Sequence, residues 1–219
     1  MEKIPLFISY SHLDNNAAGK INEYLSDYYY FHTFLAHDNL TVAENWPLEV
    51  HKHLISAEYV VALISQNFLK SGFANQEVGF AFALHKRIIP ICIDESDPSG
   101  FLYPNQAFKC KGASDDELLQ AAGTILVLPF VSTRFQRYQK ITLHWLVESF
   151  CKSKSWKQTS VTINSLMSIS EHITLSKQHL YLMKEAISLN PQINGANWIM
   201  PKIVYFMKNQ GVPVDLSKI

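Results

Sequence analysis

Residues 59–65 read Tyr-Val-Val-Ala-Leu-Ile-Ser, a stretch of apolar, β-favouring side chains with no polar residue before its end. A strand with one wet face alternates apolar and polar residues. A strand apolar on both faces needs cover on both sides of its sheet, the situation in parallel sheets flanked by helices. The surrounding sequence supplies both kinds of element. Ile4–Tyr10, Phe31–His37, Arg87–Ile93 and Thr124–Phe130 read as further strands. Ala17–Tyr29 places Ile21, Tyr24, Leu25 and Tyr28 on one helical face. Pro47 opens a helix through Leu48, Val50, His51, Leu54 and Ile55, residues 73–86 form another, and Asp115–Ala122 a short one. This alternation predicts an α/β fold with a five-stranded parallel sheet and helices on both faces. The connection 94–114 carries Pro98, Gly100, Pro104 and Gly112 and is expected to be a long loop that covers or shapes a site.

Beyond Val131 the strand signal ends. Phe135–Cys151, Glu171–Leu189 and Ala196–Asn209 read as amphipathic helices, with Lys152–Thr162 separating the first from the rest. Charge changes sign at the same place. Residues 1–133 carry 8 Lys/Arg against 15 Asp/Glu, and residues 134–219 carry 11 against 4, net −7 and +7. A two-part chain is therefore expected: residues 1–133 as the sheet domain and 134–219 as a helical extension. The extension's stripes, Leu143, Leu146, Val147 and Phe150, then Ile203, Phe206 and Met207, need burial. They are expected to dock on the sheet domain and to carry no catalytic group. The basic half lacks aromatics interleaved on a nucleic-acid fold, so a solvated helical surface is favoured over nucleic acid.

Composition excludes several classes. A hydrophobic fraction of 47% and an aromatic fraction of 12% argue against disorder. No apolar run approaches the roughly 18–20 residues of a membrane span. Residues 1–5 run directly into an apolar strand, which reads as no room for a signal peptide. Cys92, Cys110 and Cys151 are odd in number and have no CxxC spacing, so a reduced, cytosolic setting is expected. Eight glycines form neither GxGxxG nor a phosphate-binding P-loop. His51 and His53 lie two apart on a helix and share no face, so no metal site is expected.

Glu77 is the residue that asks for an explanation. Its helical neighbours are Phe73, Phe80, Ala81 and Leu84, and a lone carboxylate in such a stripe must be paired, protonated or turned to a cavity. Spacing alone leaves a structural and a catalytic role equally open. Position adds to this. Ligands of open parallel sheets sit beyond the carboxyl ends of the strands, where strand order reverses. The first strand ends in Ser9-Tyr10-Ser11-His12 and the third in Ser65-Gln66-Asn67. If these strands are neighbours, both polar ends and Glu77 converge on one crevice. Ser9 and Ser11 lack the strained GxSxG elbow and read as hydrogen-bonding groups lining a pocket. His12 is a loop histidine within reach of a phosphate. Asp38 orients a loop or binds substrate, and Trp46 anchors a loop or the core.

Three blocks in order resemble one family. Phe7-Ile8-Ser9-Tyr10-Ser11-His12 resembles the first box of TIR domains. His37-Asp38-Asn39-Leu40, then Trp46 and Leu54-Ile55-Ser56-Ala57, resembles the stretch after their second strand. Val61 through Glu77 is similar to their pattern of strand, Ser, short turn, Ser, aromatic and Glu four residues later. The resemblance spans about residues 3–130. Phe73 stands where Trp is usual, and Glu44-Asn45 where Gly is common before Trp46.

The resemblance implies a flavodoxin-like sheet. Through bacterial, plant and animal members it also implies cleavage of NAD+ between nicotinamide and ribose by Glu77, with NAD+ as substrate and no separate cofactor. Ser9, Tyr10, Ser11, His12, Asp38, Trp46 and Phe73 are then expected around the substrate, with Tyr10 and Phe73 stacking or walling it. Asn190-Pro191-Gln192-Ile193, between two amphipathic helices, looks like the extension of some bacterial TIR proteins of phage-defence operons. That likeness implies an NAD-derived signal for a partner effector, as in Thoeris systems. Two other readings stay open: a non-catalytic adaptor acting by homotypic TIR assembly, and a nucleoside deoxyribosyltransferase-like enzyme.

Overall fold

The computed structural model of the 219-residue chain describes residues 3–36, 46–102, 107–110, 112–212 and 214. The chain divides into two compact units, Met1–Ala121 and Ala122–Ile219. The first holds β1 (Pro5–Ser9), α1 (Asn15–Glu23), β2 (His32–Leu35), α2 (Trp46–Ser56), β3 (Tyr59–Ile64), α3 (Gln66–Lys70), α4 (Gly72–Ala83), β4 (Arg87–Cys92) and β5 (Phe108–Lys109). All neighbouring strands pair in parallel, in the order β2-β1-β3-β4-β5. This is the doubly wound order whose direction of winding reverses between β1 and β3. The α/β expectation is met, and β3 explains itself: as the middle strand it is buried at every position.

Period-two alternation sends Phe7, Val60, Ala62 and Ile64 into one core with Val50 and Leu54 of α2 and Ala74, Val78 and Ala81 of α4. Phe7 pairs in register with Phe34 and Val60, so the first three strands start their polar ends at nearly one level. That level is where the candidate site lies.

The fifth strand departs from the sequence reading. Residues 124–130 are helical, inside α5 (Asp115–Val131), and the fifth strand is the short Phe108–Lys109 in the connection expected to be a loop. A capping box decides it. Ser114 Oγ accepts from the Glu117 backbone N–H at 3.4 Å, and the Glu117 carboxylate accepts from Ser114 N and Oγ at 3.3 and 2.7 Å. Three acidic residues in the first turn then suit the helix dipole. Leu118, Leu119, Ala121, Ala122, Ile125 and Leu126 are buried at helical spacing. A short apolar run does not by itself tell strand from buried helix.

In the second unit α6 (Gln139–Cys151), α7 (Trp156–Ser168), α8 (Lys177–Leu189), α9 (Pro191–Asn194) and α10 (Met200–Asn209) pack on one another, α6 against α7 and α8, and α7 against α9 and α10. Leu146, Val147, Phe150, Ile203, Phe206 and Met207 are buried. The stretch read as a separator, 152–162, is largely helix: Ser155 caps α7 by accepting from Gln158 N. Its buried face is partly polar, which hides it from a hydrophobicity pattern. Gln158 donates to Ser149 Oγ at 3.0 Å, Thr159 donates to the Gln192 carbonyl at 2.9 Å, and Thr162 donates to the Gln158 carbonyl. The helix expected from Glu171 begins at Lys177, where Ser176 caps it, and the one expected from Ala196 begins at Met200. The division between the two units falls at Ala121/Ala122, within α5, and the sequence reading places it at 133/134.

Candidate active site

β3 passes through Ser65 into α3, and Ser71 joins α3 to α4. Both serines cap the helix that follows: Ser65 Oγ accepts from Phe68 N at 2.9 Å and Ser71 Oγ from Ala74 N at 3.3 Å. Asn75 closes the joint by donating to the carbonyls of Phe68, Leu69 and Ser71, at 3.3, 3.2 and 2.8 Å. This rigid elbow fixes where the second turn of α4 points, and so fixes Glu77.

Glu77 is 4% exposed. Ser9, fully buried at the end of β1, donates its hydroxyl to Glu77 Oε2 at 2.6 Å. The other oxygen, Oε1, is buried and has no hydrogen-bond partner among the described residues. Burial raises the carboxyl from its ordinary 4.5 to about 7, with the Ser9 hydrogen bond pulling the other way. A buried carboxylate with one oxygen held and the other unanswered among the described residues can still accept from a further donor or face a cation.

Beside it lies a cavity of about 100 Å³ between α2 and α4. Pro47, Val50, His51 and Leu54 form one wall; Phe73, Gln76, Glu77 and Phe80 form the other. Phe73 keeps 55% of its surface exposed, and the His51 ring stacks on Phe80 with centroids 4.4 Å apart. Apolar walls around one carboxylate lower the local dielectric and strengthen its field on any bound cation.

The crest above β1 and β3 is occupied by the protein's own hydrogen bonds. Asp14 accepts from Ser65 Oγ at 2.6 Å and from Asn67 Nδ2 at 2.8 Å. Asp94, beyond β4, accepts from Gln66 N and Ser96 N, both at 2.8 Å. Burial pushes the Asp94 carboxyl up, but these hydrogen bonds outweigh it and leave it below the usual carboxylate range. Among the described residues, no three His, Cys, Asp or Glu side chains are placed to hold a metal ion.

The structure therefore brings Glu77 and Phe73 to one cavity, with Ser9 joined to it through Glu77. Tyr10 and Ser11 are buried and do not line it. Ser11 instead accepts from Leu13 N at 3.5 Å, and His12 is exposed in the following turn. Asp38 and the side chain of Trp46 lie outside the described residues. The sequence reading weighs His51 only as a metal ligand, which it rejects, names Asn67 only within the polar end of β3, and gives Gln76 and Asp14 no role. Gln76 and Phe80 were recoverable from the α4 period, and the α2 wall from the 47, 50, 51, 54 spacing. That the two walls face each other is a tertiary fact.

A family model for the TIR domain matches residues 6–125. The chain belongs to the TIR-domain family. The crystal structure of the TIR domain of the Toll-related receptor TRR-2 from Hydra magnipapillata is similar over 49% of this chain and 84% of that one, at 14% identity and a TM-score of 0.44. None of the curated proteins compared with it matches. Family membership thus rests on the family model, and this TIR domain's sheet has the order described above.

Proposed function

We propose that this TIR domain cleaves NAD+ at the bond between nicotinamide and ribose, with Glu77 as its catalytic carboxylate. The observation that carries the reading is Glu77 Oε1, buried at a cavity wall and without a partner among the described residues while Oε2 is held by Ser9. Departure of nicotinamide leaves an oxocarbenium-like C1′ on the ribose. A carboxylate fixed in an apolar cavity stabilises that charge as it develops, and requires no reorganisation at the moment of reaction. A neighbouring cation favours the ionised carboxyl, so substrate binding works against the elevated pKa. Phe73, one turn before Glu77 and exposed, walls the nicotinamide side. The ADP-ribose part is hydrolysed, cyclised or conjugated, and in this reading serves as a cytosolic anti-phage signal for a separate effector.

TIR domains commonly assemble with one another, so the test uses the intact chain at concentrations that drive self-association. NAD+ is added, nicotinamide is quantified, and the second product is identified by mass. The reading expects nicotinamide together with a product of ADP-ribose mass, an anhydro form of it, or ADP-ribose joined to a second molecule. An assembled protein that releases no nicotinamide overturns the reading.

A further inference from the structure

We infer that His51 is the proton acceptor for the oxygen nucleophile that captures the ribosyl cation, and so governs which acceptor the cation meets. The inference rests on the reading of Glu77 as the catalytic carboxylate. Its ground is the composition of the cavity. Among the described lining residues, Pro47, Val50, Leu54, Phe73 and Phe80 have no basic atom, and the Gln76 amide does not take up protons near neutrality. Glu77 must stay ionised up to the moment of capture and its Oε2 already accepts from Ser9, which makes it the poorer acceptor for that proton. His51 remains. Its ring lies on Phe80 at an interplanar angle of 19°, which fixes its plane without using either nitrogen. Neither nitrogen has a hydrogen bond or ion pair among the described residues. The residue is exposed and lines the cavity from α2, on the wall opposite Glu77, so a water or hydroxyl acceptor can reach it from solvent.

The step balances simply. The C1′–N1 bond breaks and its electron pair leaves on nicotinamide. A lone pair of the acceptor oxygen forms the new bond to C1′, and the acceptor's proton passes to a His51 ring nitrogen and then to solvent. Water as acceptor gives ADP-ribose; a hydroxyl of the same molecule gives a cyclic product. A pyridine nitrogen carries no proton to remove, so capture by a pyridine bypasses His51 altogether. That difference is the handle for a test.

The intact chain is given NAD+ with 3-acetylpyridine, and the exchanged dinucleotide is measured against the sum of hydrolytic and cyclic products. His51→Phe keeps an aromatic ring to stack on Phe80. It should raise the ratio of exchange to oxygen capture by roughly 10²-fold, the lower end of general-base contributions because the cation is so electrophilic. His51→Ala should show the same shift, and added free imidazole should restore oxygen capture. An unchanged ratio in both variants, or exchange and oxygen capture falling together without imidazole rescue, overturns the role of His51 alone. A wild-type chain that releases no nicotinamide overturns it together with the catalytic reading of Glu77.

Discussion

Glu77 is an expensive residue. Its carboxyl ionises near 4.5 in an unfolded chain and near 7 in the folded one, because folding strips water from it and returns one hydrogen bond, from Ser9. Between those two values the native state holds a proton that the unfolded chain has released. The stability contributed by this group is thus fully present below about pH 4.5, declines as pH rises towards 7, and is flat above. The whole shift corresponds to about 3 kcal/mol. Glu77→Gln does not titrate and keeps a side chain of similar size. The variant should therefore gain stability over the wild type as pH rises from 5 to 8, read as a widening difference in urea midpoint. A difference that is equal at both pH values would show that the carboxyl is not held protonated by burial.

At the scale of elements, the α3–α4 elbow places that oxygen. Asp14 ties it to the turn after β1 through Ser65 and Asn67, and Asp94 ties it to the end of β4 through Gln66. Asp14→Asn retains the size but loses one acceptor and the charge, so one of the two bonds goes unanswered. The expected loss is about 1–3 kcal/mol, with faster amide exchange across residues 66–77 and little change in α1. Unaltered exchange in that window would mean the elbow is held by its caps alone. Elements whose signal is local were legible in the sequence: the unbroken apolar run of β3, the Glu77 stripe of α4, and the polar ends of β1 and β3. Residues 124–130 read as a strand because an apolar run of that length suits a strand or a buried helix, and the deciding Ser114–Glu117 box lies upstream of it. α7 was missed because Gln158, Thr159 and Thr162 are buried and answered by partners that only the folded unit supplies. His51 was legible as a residue of α2, whereas its place opposite Glu77 depends on how α2 packs against α4.

For the molecule as a whole, the parallel order β2-β1-β3-β4-β5 sets the polar strand ends together, and the family match covers this sheet region. The groups proposed for the chemistry, Glu77 with Ser9 behind it and His51 across the cavity, all lie in the first unit. Residues 122–219 form a helical unit with its own buried stripes. In the proposed chemistry one carboxylate of this chain cleaves a dinucleotide. The most direct measurement is the rate of nicotinamide release from NAD+ by the intact chain, wild type against Glu77→Gln, with both proteins shown to be folded and equally assembled. Loss of the preorganised charge should slow release by roughly 10²–10³-fold while the melting temperature at neutral pH stays level or rises. A folded Glu77→Gln protein that releases nicotinamide at the wild-type rate would contradict the claim.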